Sequence, residues 1–272
     1  MRLLYDTSIG FALTGDLIGG DIPAYAILSH TWQEGEVTFA DLEDSPHGGR
    51  AMAGYQKLYF CAQKAALDGL KYFWVDCCCI DKSNSVALEH AINSTFYYYQ
   101  NAAKCYVYLS DVSTKEGKEI SEDSDCRWQS VFWESRWFTL SWTLQELLAS
   151  RSADFFSREG EKLGDKNILR QTLHEITGIA TLALEGKPLA DFSVREPLLW
   201  AANRRSTLKE GQIYSLLGIF GIKMTMVHGE GGWNACLRFW DEIFRRIEDY
   251  TILLCTKPSD TNNDRQSAVW TY

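Results

Sequence analysis

No window of this sequence reaches the ~18 consecutive apolar residues that a membrane-spanning helix needs. No membrane span is therefore expected. The opening stretch MRLLYDTSIGFALTGD also lacks a long uninterrupted apolar run, so no signal peptide is expected. Dense runs of Lys and Arg are missing too: Arg204-Arg205 and Arg245-Arg246 are isolated pairs. With a formal charge of -9 and a pI near 5.1, a nucleic-acid-binding surface is not expected. There is no Cys-x-x-Cys and no paired-histidine spacing, so no metal motif can be read. Gly19-Gly20, Gly48-Gly49 and the glycines between Gly229 and Gly232 lack the strand–loop–helix setting of a phosphate loop. No internal repeat is visible.

What the chain does have is core material. Hydrophobic residues make up 46% of its 272 residues, with 10 Trp, 13 Tyr and 13 Phe, which argues for a packed fold over disorder. Of the eight cysteines, Cys77, Cys78 and Cys79 are consecutive. Neighbouring side chains on a strand point to opposite faces, so this trio is poorly placed as a bridging set or a shared metal cage. Free, buried thiols in a reducing compartment are expected, and the chain reads as cytoplasmic.

Short apolar runs alternate with segments of helical spacing. Tyr25–Ser29, Tyr72–Asp76 and Lys104–Leu109 read as buried strands, with a shorter fourth at Ala153–Ser157. Tyr55–Leu67 and Val86–Ala102 read as helices, the first stopped by Asp68-Gly69. The alternation predicts an α/β fold with a mainly parallel sheet and helices on both faces. Strands covered on both faces are apolar throughout, as these are. Ser113–Asp125 reads as an exposed polar loop. Beyond the fourth strand the spacing turns helical, over Lys166–Ile176, Val194–Asn203, Glu210–Ile219 and Trp233–Ile247. Thr256–Ala268 reads as a polar linker or tail.

The most informative segment is SRWFTLSWTLQELL, from Ser135 to Leu148. Trp142 and Glu146 lie one helical turn apart and share a face. An aromatic plane beside a carboxylate suits a sugar–base ligand, although a core Trp and a surface Glu on an amphipathic helix give the same spacing. Ligands collect at the carboxyl ends of parallel strands, where three further clusters fall. Ser29, His30 and Trp32 leave the first strand. Asp76 ends the second, with Asp81 just beyond. Ser110 and Asp111 leave the third. His30 has the alternative of a structural hydrogen bond, and Asp76 of capping a turn. Cys77–Cys79, His30 and Asp81 also hold the atoms of a cysteine hydrolase, but thiols in an apolar strand end are usually inert. Arg204 offers a planar fork for a phosphate, or it is simply a solvated helix end.

Taken together, YAILSHTW at Tyr25–Trp32, the block from Gly69 through Ser83, AINS at Ala91–Ser94, CYVYLSD at Cys105–Asp111 and RWFTLSWTLQEL at Arg136–Leu147 resemble the fungal heterokaryon-incompatibility (HET) domain. WAANRR at Trp200–Arg205, YSLLGIF at Tyr214–Phe220 and Gly229–Gly231 continue the resemblance. It runs from Met1 to about Ile243. The sequence departs from the family pattern at Cys77, where Thr is usual. Glu210-Gly211 replaces an acidic pair, and Thr225 and His228 replace a Pro and a Tyr.

The resemblance implies a HET domain over 1–250, with an α/β core at about 22–160, a helical extension at about 161–250 and a tail at 251–272. Such domains are effectors of non-self recognition that trigger cell death, and they resemble Toll/interleukin-1 receptor (TIR) domains, hence a TIR-like, flavodoxin-like sheet. By that likeness Trp142 and Glu146 match the Trp and catalytic Glu of TIR enzymes that cleave NAD. The implied roles are Glu146 as catalytic carboxylate and Ser29, His30, Trp32, Asp76, Asp81, Trp142 and Arg204 as substrate-binding residues, with NAD as substrate, no cofactor and no metal. Implied partners are NAD or a related nucleotide, further copies of the chain, and an upstream receptor or regulatory protein. The rival reading is a non-enzymatic TIR-like oligomerisation module. A module that binds NAD without cleaving it lies between the two.

Overall fold

The computed structural model describes residues 1–44, 48–115 and 127–246. A hairpin, β1 (Leu4–Thr7) and β2 (Gly10–Leu13), opens the chain, followed by β3 (Tyr25–His30). Helices α1 (Phe39–Asp44) and α2 (Tyr55–Leu67) lead to β4 (Tyr72–Trp74). The one-turn α3 (Asp76–Cys79) and the long α4 (Ser85–Asn101) lead to β5 (Lys104–Tyr108). Then come α5 (Arg127–Trp133), α6 (Ser141–Ala149), β6 (Ala153–Phe156) and β7 (Lys162–Asp165). From there the described chain is helical: α7 (Arg170–Thr177), α8 (Thr181–Leu184), α9 (Arg195–Ala201), α10 (Lys209–Tyr214) and α11 (Gly231–Arg246), with one short 3-10 turn between α8 and α9.

The strands form one sheet in the order β2-β1-β4-β3-β5-β6-β7. The four central strands are parallel: β3 pairs with β4 (Ile27 opposite Trp74) and with β5 (Ser29 opposite Val107), and β5 pairs with β6 (Val107 opposite Phe155). In chain order they sit second, first, third, fourth, the flavodoxin-like arrangement. The chain therefore reverses its winding between β3 and β5, and that crevice is where such sheets bind ligands. Antiparallel strands close both edges, β1 on β4 and β7 on β6. All six residues of β3 are buried, because α2 lies on one face and α6 packs from the other.

The parallel sheet with flanking helices is as the sequence predicts. Two features differ. The sheet extends past the expected strands at both edges, through the β1–β2 hairpin and β7. The strand expected over Tyr72–Asp76 stops at Trp74. Cys78 and Cys79 donate their backbone N–H groups to Val75 O (3.2 and 2.8 Å), so the cysteine trio sits on a helical turn, not a strand end. A continuous apolar run does not distinguish a buried strand from a buried helical turn. Residues 116–125 of the expected polar loop, Ile247 and the expected tail lie outside the described residues.

Candidate functional site

Helix α6 is buried along its length except at Trp142 and Glu146, which are half-buried. Their four-residue spacing places both on one face of the helix. Tertiary contacts clamp both ends of this helix. Ahead of it, Arg204 donates through Nη1 to Leu140 O and Thr143 Oγ1 (both 3.0 Å) and through Nε to Trp200 O (3.2 Å). At its C-terminus the buried Lys166 ammonium donates to Leu147 O (2.8 Å) and Ser150 O (3.0 Å), supplying positive charge where the helix dipole is negative. A Cβ at Gly211 would lie 2.4 Å from Ser206 Oγ. Any larger residue there would force the Ser206 hydroxyl aside, next to the Trp142 ring.

Ser29, the buried fifth residue of β3, donates a short hydrogen bond to Glu146 Oε2. Ser29 Oγ in turn accepts from Trp137 Nε1 at 2.8 Å, so the indole fixes which way the hydroxyl points. Tyr99 donates to Leu28 O (3.0 Å) and lies beside the same carboxyl. Burial raises the Glu146 pKa to about 7, against the lowering effect of the Ser29 hydrogen bond. Asp76 adds a like charge that raises it further. The carboxyl thus titrates near neutrality, as functional-site carboxyls often do.

His30, next along β3, points into a second cluster. Its Nε2 lies 3.7 Å from Glu36 Oε2 and its Nδ1 lies 3.9 Å from Asp76 Oδ1. Burial lowers the imidazole pKa, but contacts with Cys77, Glu36 and Asp76 outweigh it and raise the pKa to about 10. Glu36 is held by the buried Lys57 ammonium, which also donates to Thr31 O (3.0 Å). A Cβ at Gly54 would lie 2.7 Å from Glu36 Cα, so only glycine leaves room for that loop. Asp76 Oδ2 accepts from Trp32 Nε1 at 2.8 Å, and the Lys82 ammonium lies 3.3 Å from the Trp32 ring centroid. Trp32 is 45% exposed and stands at the surface of the cluster.

The fold thus links Ser29 to Glu146, and His30 and Trp32 to Asp76. Asp81 turns away: it accepts from Ser83 N (3.0 Å) and Ser83 Oγ (2.6 Å) in its own loop. Arg204 does not present the expected phosphate fork, because it is buried beneath α6 and bonded internally. Of the thiol-hydrolase atoms, Cys77 meets His30 while Asp81 stays apart. Cys78 and Cys79 are core groups, bonded to Val37 O (3.1 Å) and Val75 N (3.4 Å), and burial pushes both thiols up. Cys77 is drawn down to about 7 by Cys78 and, against its burial, by His30. A polar cleft of about 320 Å³ opens by the same strand ends, lined by Gln33, Gln56, Lys57, Tyr108, Ser110 and Arg158 among others.

Sequence reasoning missed Tyr99, Trp137, Glu36, Lys57 and Lys166. Lys57 had a signal, since it stands four residues before Cys61 on the apolar face of α2.

A flavodoxin-like sheet with a carboxylate cluster at its switch point is the setting of a ligand-handling α/β domain. Residues 25–131 match the family model described as Heterokaryon incompatibility protein (HET), and the chain belongs to that family. It is 49% identical over 248 residues, 89% of its length, to the vegetative incompatibility protein HET-E-1 of Podospora anserina. The match covers 18% of that relative, so the chain spans about a fifth of it. No solved structure gives a significant match. Among the described residues, no helix is long and apolar enough to cross a membrane.

Proposed function

We propose that this domain is a cytoplasmic cell-death effector of fungal incompatibility that hydrolyses NAD to nicotinamide and ADP-ribose, with Glu146 as its catalytic carboxylate. The observation that carries the reading is the Glu146 environment. A carboxyl hydrogen-bonded to Ser29, one helical turn from Trp142, sits against β3 near the switch point of the sheet, and burial raises its pKa to about 7. The TIR-like resemblance supplies the substrate class.

Breaking the bond between ribose C1′ and the nicotinamide nitrogen sends the electron pair to nicotinamide, which leaves neutral. Positive charge grows on the ribose, as in glycoside hydrolysis. The Glu146 carboxylate stabilises that charge in a poorly solvated site. Water then adds to C1′ and releases its proton to solvent. Ser29 and Trp137 position the carboxylate. Trp142 and Trp32 wall the base and ribose, and Asp76 and His30 orient polar groups of the substrate. Arg204 contributes by fixing α6.

The primary test is nicotinamide release from NAD by the pure, concentrated protein. Activity should rise with protein concentration, because an effector that must stay silent until triggered gains from a site ordered by self-association. Constant specific activity over a wide dilution series, with a monomer throughout by light scattering, would contradict that. Release of no nicotinamide at any concentration rejects the enzyme and leaves the assembly module.

The pH profile gives a finer test. The active form is the carboxylate, so kcat/KM should rise through an inflection near pH 7 and level off above it. The Ser29 hydrogen bond favours the ionised form. Ser29→Ala should therefore move the inflection upward by roughly one unit. An unmoved inflection would assign the titration to another group.

A further inference from the structure

Among the described residues, one group of His, Cys and carboxylate side chains brings its ligand atoms within 4.8 Å of one another: His30, Asp76 and Cys77. A nitrogen, an oxygen and a sulfur form the donor set of a borderline-soft divalent ion such as zinc. Ligand atoms in a tetrahedral zinc site lie roughly 3.3–3.6 Å apart, so the three need to close by about 1 Å. The surroundings provide what such ligands require. A metal-bound histidine ordinarily presents its other nitrogen to a carboxylate, and a metal-bound carboxylate is itself hydrogen-bonded. His30 turns Nδ1 towards Asp76 and Nε2 towards Glu36. Nε2 is buried and makes no hydrogen bond, and Glu36 is anchored by Lys57. Asp76 has Oδ2 tied to the Trp32 indole and Oδ1 directed at His30. Asp76 and Cys77 are adjacent in the first turn of α3, so one small movement of that turn brings both inward.

We infer that His30, Asp76 and Cys77 form a zinc-type divalent metal site, with Glu36 and Trp32 as its outer supports. Binding displaces the Cys77 thiol proton and the proton on the ligating His30 nitrogen to water, and no electron moves. Glu146 couples electrostatically to both His30 and Asp76. A dication there opposes the positive charge developing on ribose, so zinc should inhibit. That last step rests on the NAD-cleavage reading; the site itself does not.

Cobalt(II) titration of untagged, reduced protein is the test. One equivalent should give a thiolate-to-metal charge-transfer band in the near ultraviolet and strong visible bands of a tetrahedral ion. Zinc should displace the cobalt. Cys77→Thr, which keeps the side-chain size, should lose the charge-transfer band, whereas Cys78→Ser should keep it. Trp32→Phe should weaken binding by about 10–100-fold. A thermal melt of each variant shows that it is folded, and His30→Asn gives a second route if Cys77→Thr is not. No thiolate band in the parent, or the same band in folded Cys77→Thr or His30→Asn, overturns the site. If the band forms as expected but nicotinamide is never released, the metal site stands and the NAD-cleavage reading falls.

Discussion

Glu146→Gln should slow nicotinamide release at least about a hundredfold and leave the domain folded. The magnitude follows from removing a single preorganised electrostatic partner of a transition-state charge. Substrate affinity should change much less, because the oxocarbenium charge hardly exists in the ground state. The introduced amide still accepts the Ser29 hydrogen bond through its oxygen, so the site keeps its shape. Stability adds an independent signature. The folded-state pKa of Glu146 is raised to about 7 from an ordinary 4.5. Its ionisation therefore destabilises the fold progressively as pH rises from 4.5 to 7, and fully above 7. Glutamine never ionises. The variant should melt near the parent at pH 5 and above it at pH 8, with a gain of order 1–3 kcal/mol. Expressed in a fungal host, it should no longer kill. A variant that kills like the parent, when the pure parent releases no nicotinamide, would leave the assembly module as the function.

The sheet was legible because its central strands carry a strong local signal. YAILS, YFWV and CYVYL are almost wholly apolar, as strands covered on both faces are, and they alternate with segments of helical spacing. The helix spacing of Trp142 and Glu146 was equally local. What stayed hidden depends on contacts far apart in the chain. Ser29 and Glu146 are 117 residues apart, and nothing in either segment announces the other. Tyr99 and Trp137 read as ordinary core aromatics, and their polar ends matter only once β3 and α6 are placed together. Arg204 looked like a surface fork because the sequence does not reveal that α9 leads it beneath α6. The β1–β2 hairpin consists of two four-residue strands, too short for their alternation to stand out. Cys77 differs from Cys78 and Cys79 because it lies against both Cys78 and His30 of β3, so the tripled sequence hides one distinct thiol.

Lys57→Met should destabilise the domain by about 3–5 kcal/mol, the range for removing one partner of a buried ion pair. Methionine keeps most of the buried stem, so the loss is one of charge and hydrogen bonding rather than volume. Lys57 is 4% exposed and Glu36 7%. Glu36 accepts from the Lys57 ammonium and from Gln33 N (3.0 Å). Its burial raises the carboxyl pKa, but His30 and Lys57 together overcome this and lower it to about 2. Without Lys57, the carboxylate stays buried opposite His30 alone, and Thr31 O loses its donor. Adding Glu36→Gln to Lys57→Met should restore most of the lost stability, since the neutral amide no longer needs the ammonium. Denaturant melts of the two single variants and the double variant measure the coupling directly. A coupling below about 0.5 kcal/mol would make the pair a slack contact. A large coupling makes Lys57, on the opposite side of Glu36 from the imidazole, the anchor that holds His30 against Asp76 and Cys77. In that case Lys57→Met should weaken cobalt binding at His30 and Cys77 in the same protein that shows the stability loss, because it frees the carboxylate behind the histidine from its anchor, and Glu36→Gln should weaken it too, because it removes that carboxylate.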